Sequence, residues 1–122
     1  MDHHDEVFLK KAADARARIR VTPAETVGAH RAAGAVVVDV REPGEHAAGH
    51  VEEAVNVPLA ELAERIAHVL PDKSAPVLCY CNGGNRGALG ADTLQSLGYT
   101  NVLSIEGGFR AYRAAGGKVG TK

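Results

Sequence analysis

Apolar residues along the chain fall into short blocks separated by glycine and proline, and the blocks follow two rhythms. Residues 36–40, VVVDV, are a nearly continuous β-branched run, the pattern of a strand covered on both faces. PVLCYC at 76–81 and NVLSI at 101–105 are further runs of this kind. Shorter ones near 19–21 and 54–57 bring the predicted strands to five. Between them apolar residues recur at helical spacing. Phe8, Ala12, Ala15 and Ile19 do so over residues 5–19; Leu59, Leu62, Ile66 and Val69 do so ahead of Pro71. Ala88, Ala91, Leu94 and Leu97 follow Arg86, with Gly98 placed as a left-handed stop. Thr22-Pro23-Ala24-Glu25 reads as a capping box with proline at the first helical position, which predicts a helix over about 23–33 that ends at Gly34. An irregular or one-turn segment is expected between Glu42 and His50, and a last helix over 109–115.

Strands alternating with helices predict one α/β domain, a parallel sheet with helices on both faces. Residues 1–19 are then a helical extension, 20–116 the domain, and 117–122 a flexible tail with nothing to pack against. The apolar stripe of the extension is expected to pack on the side of the domain, with a dimer contact as the lesser alternative; a stripe so narrow and rich in alanine argues against membrane attachment. In such sheets ligands sit at the carboxyl ends of the strands. Two predicted strand ends carry polar residues there, Arg41 to Gly44 on one and Cys81 to Arg86 on the other. Asp39 is the anomaly inside a buried strand. A carboxylate there must be paired, and Arg41 is the expected partner.

The stretch at 76–97 concentrates the candidate chemistry. An apolar strand breaks into Asn82-Gly83-Gly84-Asn85, residues that tolerate left-handed backbone, and a helix follows at once. Such a turn aims backbone N–H groups inward, and the helix dipole adds partial positive charge at the same point. These conditions favour a thiolate at Cys81. The alternative is a small apolar residue at a strand end, a common use of cysteine. Cys79 lies two residues earlier and faces the same way, about 6 to 7 Å off where a disulfide needs roughly 4 Å. It is expected to be a buried core residue, independent of Cys81.

Composition narrows the field. Hydrophobic residues at 45% and charged residues at 24% are those of an ordinary soluble domain. Fourteen Lys and Arg against fifteen Asp and Glu give a formal charge of −1 with no like-charge run, which argues against nucleic-acid or membrane partners. The acidic start Met1-Asp2-His3-His4-Asp5-Glu6 is followed by no signal-like apolar segment, so a cytoplasmic location is expected. The glycine loop matches neither phosphate-binding spacing, Gly-x-x-x-x-Gly-Lys-Ser/Thr or Gly-x-Gly-x-x-Gly. His46 and His50 have a spacing that can hold a metal on a helix, but Gly49 lies between them and no third ligand is near. No metal and no cofactor are expected. No serine stands in a Gly-x-Ser-x-Gly context.

Val38-Asp39-Val40-Arg41-Glu42-Pro43, Glu45, Gly49-His50-Val51 and Ala54-Val55-Asn56-Val57-Pro58 together resemble the first signature of rhodanese domains. Cys81-Asn82-Gly83-Gly84-Asn85-Arg86 resembles their active-site loop, and Gly98-Tyr99 with Gly107-Gly108-Phe109 their closing segment. The resemblance covers residues 20–115 and implies a three-layer fold with a five-stranded parallel sheet. It also implies sulfur transfer: Cys81 takes sulfane sulfur from thiosulfate or another donor as a persulfide, and a thiol or cyanide accepts it. Asn82, Gly83, Gly84, Asn85, Arg86 and Gly87 are the residues expected to hold the donor, with Asp39 and Arg41 as structural support. Related phosphatases and arsenate reductases resemble Cys-x5-Arg, whereas this loop is Cys-x4-Arg. Three departures stand out: Gly87 replaces a frequent serine or threonine, Tyr112 a frequent tryptophan, and the loop has a single cation. A persulfide carrier or partner-binding module with little thiosulfate turnover is the competing expectation.

Overall fold

Continuous β-branched runs can be buried only in strands with helices on both sides, and the computed structural model, which describes residues 6–121, places them there. The elements in chain order begin with helix α1 (Glu6–Arg16), strand β1 (Val21–Thr22), helix α2 (Val27–Ala32) and strand β2 (Val36–Asp39). Helix α3 (Pro43–Ala48), strands β3 (His50–Val51) and β4 (Val55–Asn56), and helix α4 (Leu62–Val69) follow. The second half holds β5 (Val77–Tyr80), α5 (Asn85–Ser96), β6 (Val102–Ile105), α6 (Gly108–Ala114) and β7 (Val119–Gly120). Five strands form one parallel sheet in the order β1-β6-β5-β2-β4. The strand leading to Cys81 is therefore the central one.

Alternation along β5 sorts its side chains into two cores. Val77 and Cys79, with Cys81 just beyond, join Val38, Leu62, Ile66, Ala91 and Leu94 under α4 and α5. Leu78 and Tyr80 point the other way and pack with Val27, Val51, Phe109 and Tyr112. The three-layer α/β arrangement expected from the sequence is thus the observed one. Helix α1 lies outside α5. Ala12 and Ala15 are fully buried against it, and the Arg18 guanidinium grips Asp92 through two hydrogen bonds of 2.9 and 2.8 Å. Met1 to Asp5 and Lys122 lie outside the described residues, so the expected helix start at residue 5 and the ends of the extension and the tail are not covered.

Three local expectations are corrected. The predicted helix over 23–33 divides into a 3-10 turn, Ala24–Thr26, and the shorter α2. Thr22 makes no capping bond because its hydroxyl is held by Thr26 Oγ1 at 2.6 Å and His30 Nε2 at 3.2 Å. Reciprocal capping occurs instead at α3, where the Glu42 amide donates to the Glu45 carboxylate at 3.0 Å. Finally, the tail is not loose as far as it is described. Val119 and Gly120 pair antiparallel with Val51 and His50, and the Glu52 amide donates to the Lys118 carbonyl at 3.0 Å. Tyr112 fastens the approach by donating its hydroxyl to the same carbonyl at 2.6 Å.

Candidate active site

The loop after β5 is shaped by glycines on both sides of it. Gly84, with φ of 118°, sits in the left-handed region that allows α5 to start immediately after the turn. Its N–H donates to Cys81 Sγ at 3.1 Å. Cys81 is 2% exposed, at the floor of the loop. From the opposite side α6 docks end-on: the Phe109 and Arg110 amides donate to the carbonyls of Cys81 and Asn82 at 2.8 and 3.2 Å. Gly108 makes that approach feasible, since a Cβ there would stand 2.4 Å from the Cys81 carbonyl oxygen. Gly87, inside the first turn of α5, packs directly on the strand; its Cβ would lie 3.2 Å from the Cys81 nitrogen and the Tyr80 Cα. The missing side chain at 87 thus has a packing reason.

Asp39, at the end of β2, anchors a buried polar bracket beside the loop. Its carboxylate accepts from Arg41 Nε and Nη2 at 2.9 and 2.8 Å, from the Tyr80 hydroxyl at 2.9 Å and from His46 Nδ1 at 2.9 Å. Burial alone would raise the carboxyl, but the hydrogen bonds from Arg41 and His46 hold it below its usual range. Burial also opposes the Arg41 charge, and Asp39 more than restores it. Tyr80 is pushed well up by burial and by the Asp39 charge, so it stays a neutral donor. The Asp39–Arg41 pairing expected from the sequence is present, and Tyr80 and His46 join it.

The bracket continues to the loop. Arg41 Nη1 donates to Asn82 Oδ1 at 2.9 Å, and Asn82 Nδ2 donates to Glu45 at 2.8 Å. Glu45 also accepts both terminal nitrogens of Arg86 at 2.8 and 3.0 Å. That hydrogen bonding, working against partial burial, pulls the Glu45 carboxyl down to about 2. The single cation of the loop is therefore already balanced. Glu45 carries no recognisable spacing to Arg86 in the sequence, because the pair joins α3 to α5 across the sheet edge.

His46 and His50 stack face to face with ring centroids 3.7 Å apart. Their Nδ1 atoms donate to Asp39 and to the His46 carbonyl, at 2.9 and 2.7 Å. Cys79 is fully buried, which pushes its thiol far up. A cavity of about 500 Å³ opens beside the loop between Asn82, Glu45, Phe109, Arg110 and Arg113.

A cysteine thus stands at the exit of the central parallel strand, under a four-residue loop closed by arginine. The model of the rhodanese-like domain matches residues 22–115. The chain belongs to the rhodanese-like domain family. Its rhodanese relatives include a thiosulfate sulfurtransferase, GlpE, of Pseudomonas entomophila, 40% identical over 95 residues that cover 78% of this chain and 84% of that one. The thiosulfate sulfurtransferase PspE of Escherichia coli is 41% identical over 70 residues, 57% of this chain and 67% of its own. Among solved structures, the Rhodopseudomonas palustris protein RPA3614, described as of unknown function and a possible tyrosine phosphatase, superposes with a TM-score of 0.85 at 26% identity. That match covers 98% of this chain and 99% of RPA3614.

Proposed function

We propose that this protein is a thiosulfate sulfurtransferase working through a persulfide on Cys81. The observation that carries the reading is Cys81 Sγ seated under the Gly84 amide at the exit of the central strand. GlpE and PspE, with their names, support the donor. The Cys81 thiolate attacks the outer sulfur of thiosulfate; the sulfur–sulfur bond breaks and its electron pair leaves on sulfite. The new persulfide terminates in an anion, which the Gly84 amide and the partial positive charge at the start of α5 stabilise as they would the thiolate. Cyanide or an acceptor thiolate then attacks the outer persulfide sulfur, forms thiocyanate or a new persulfide, and returns Cys81 as thiolate. Neither half-reaction requires a metal or an organic cofactor.

Asp39 and Arg41 do not react in this scheme. They hold the β2 end against Asn82 and so fix the loop. Arg86 does the same through Glu45 and bears on the donor only by closing the cradle. The described residues contain no helix long and apolar enough to cross a membrane. We place the protein in the cytoplasm with thiol acceptors.

A second reading is favoured by the balanced charge of Arg86: a persulfide carrier that accepts sulfur from another persulfide and turns thiosulfate over slowly. Steady-state formation of thiocyanate from thiosulfate and cyanide separates the two. Parallel double-reciprocal lines with useful turnover support the enzyme; sulfur uptake from persulfides with negligible turnover supports the carrier. Phosphate-ester hydrolysis is the outcome under which both fail, and the Cys-x4-Arg spacing argues against it.

A further inference from the structure

Two guanidinium groups reach the Cys81 loop from distant parts of the chain, and the mechanism above uses neither. Arg16 closes the last turn of α1. Its Nη2 donates to Asn85 Oδ1 and lies 3.4 Å from where a Cβ on Gly84 would stand. Arg110, in the first turn of α6, brings Nη1 to 3.4 Å from the corresponding point on Gly83. Both side chains are solvent-exposed, and neither glycine has a side chain to separate it from them. Gly84 is also the residue whose amide holds Cys81 Sγ, so Arg16 reaches the turn that holds the sulfur.

Charge balance gives these two arginines their role. Arg41 and Arg86, the cations named by the sequence motifs, are each neutralised, by Asp39 at 2.8 Å and Glu45 at 2.8 Å. The remaining arginine ion pairs among the described residues use Arg18, Arg31 and Arg65. Arg16 bonds a neutral amide oxygen, and no carboxylate of the described residues lies within ion-pair distance of Arg16 or Arg110. With Arg41 and Arg86 each balanced by a carboxylate, the guanidinium groups touching the loop without an ion pair among the described residues are Arg16 and Arg110, with Arg113 further along the wall of the neighbouring cavity. A planar guanidinium is suited to an oxyanion, presenting paired N–H donors to adjacent oxygens.

Resting on the sulfurtransferase reading, we infer that Arg16 and Arg110 are specificity-determining residues that bind the sulfonate end of the donor. The donor class is thereby an inorganic thiosulfate or an organic thiosulfonate rather than an alkyl persulfide. As the donor sulfur–sulfur bond breaks, the leaving sulfite gathers its electron pair between the two guanidinium groups. Helix α1 is then part of the site rather than an outlying brace.

The test compares the rate of Cys81 persulfide formation from two probes, thiosulfate and the hydropersulfide of 2-mercaptoethanol, which lacks a sulfonate. Arg16→Gln and Arg110→Gln are each expected to lower the thiosulfate-to-hydropersulfide rate ratio about tenfold, the scale of one charge-assisted hydrogen bond. Arg16→Lys should restore part of the ratio, and added salt should slow thiosulfate loading more in wild type than in either glutamine variant. Wild-type ratios in both glutamine variants, or an equal fall for both donors, overturn the inference and leave the sulfurtransferase reading standing. A wild-type protein that gains sulfur from neither probe defeats the sulfurtransferase reading itself, and the inference with it.

Discussion

Cys79 and Cys81 stand two residues apart on one side of β5, nearly equally hidden from solvent, yet the strand interior and the strand exit treat them oppositely. Cys79 packs among side chains, close enough to α5 that a Cβ on Gly90 would come within 2.8 Å of its sulfur. Nothing there compensates a charge, and burial drives its thiol up. Cys81 sits two residues later, just past the end of the strand, where the Gly84 amide is available. Its sulfur accepts from Gly84. Equal burial therefore conceals two different surroundings: one sulfur faces hydrocarbon and the other an N–H group.

The contrast can be broken or sharpened by substitution, beginning with the bracket that holds the exit in place. Asp39→Ala leaves Arg41 buried and without its partner, and should cost about 3–5 kcal/mol in denaturant unfolding. A loss below about 1 kcal/mol, within the range of surface pairs, would mean that the exit does not depend on the bracket. Next, Gly90→Ala drives a methyl group into Cys79 and should cost about 1–3 kcal/mol. In the double variant with Cys79→Ala most of that penalty should vanish, a coupling that only direct contact explains. Sulfur loading on Cys81 should persist in Cys79→Ala, because the two thiols act separately.

Gly87→Ser is the milder perturbation. Its Cβ would press on the Cys81 backbone at 3.2 Å, so the melting temperature should fall less than in Gly90→Ala, where the nearest atom is at 2.8 Å. Slower sulfur loading would show that the loop shifts. Faster loading would show instead that the serine hydroxyl supports the thiolate.

The smallest effect is expected from acid. Glu45 titrates near 2 when folded against an ordinary value of 4.5, so the unfolded chain binds its proton first as pH falls. Its contribution to stability is complete above about pH 4.5 and is lost as pH drops toward about 2. Wild type should therefore exceed Glu45→Gln in melting temperature at neutral pH and lose that margin across this window. A margin independent of pH would remove the Arg86–Glu45 pair from the account.

The sheet and the strand–loop–helix turn at Cys81 were legible in the sequence because both depend on contiguous residues. The runs at 36–40 and 76–81 dictate covered strands, and the strand–glycine–helix order around Cys81 dictates a turn lined with amides. Asp39 was identifiable as a charge that needs a partner, and Arg41 lay close enough in sequence to supply it. Arg16 and Arg110 left no such local trace, and Glu45 stood in the first signature with nothing to show that Arg86 is its partner. Each meets the loop through contacts between elements: the Glu45–Arg86 pair linking α3 to α5, α1 along α5, and α6 end-on at Gly108. The tail strand was missed for the same reason, since Val119 offers one apolar residue and its order depends on Val51 and Tyr112. The false capping box at Thr22 shows the reverse error, a local motif overruled by a competing side-chain partner, His30.

In the proposed reaction Cys81 alone carries transferable sulfur. Intact-mass measurement after incubation with thiosulfate tests it most directly, on wild type, Cys81→Ser and Cys79→Ala. The account predicts a gain of one sulfur atom on wild type and on Cys79→Ala, removed by cyanide, and no gain on Cys81→Ser. Sulfur retained on Cys81→Ser, or lost from Cys79→Ala in a folded protein, would contradict it.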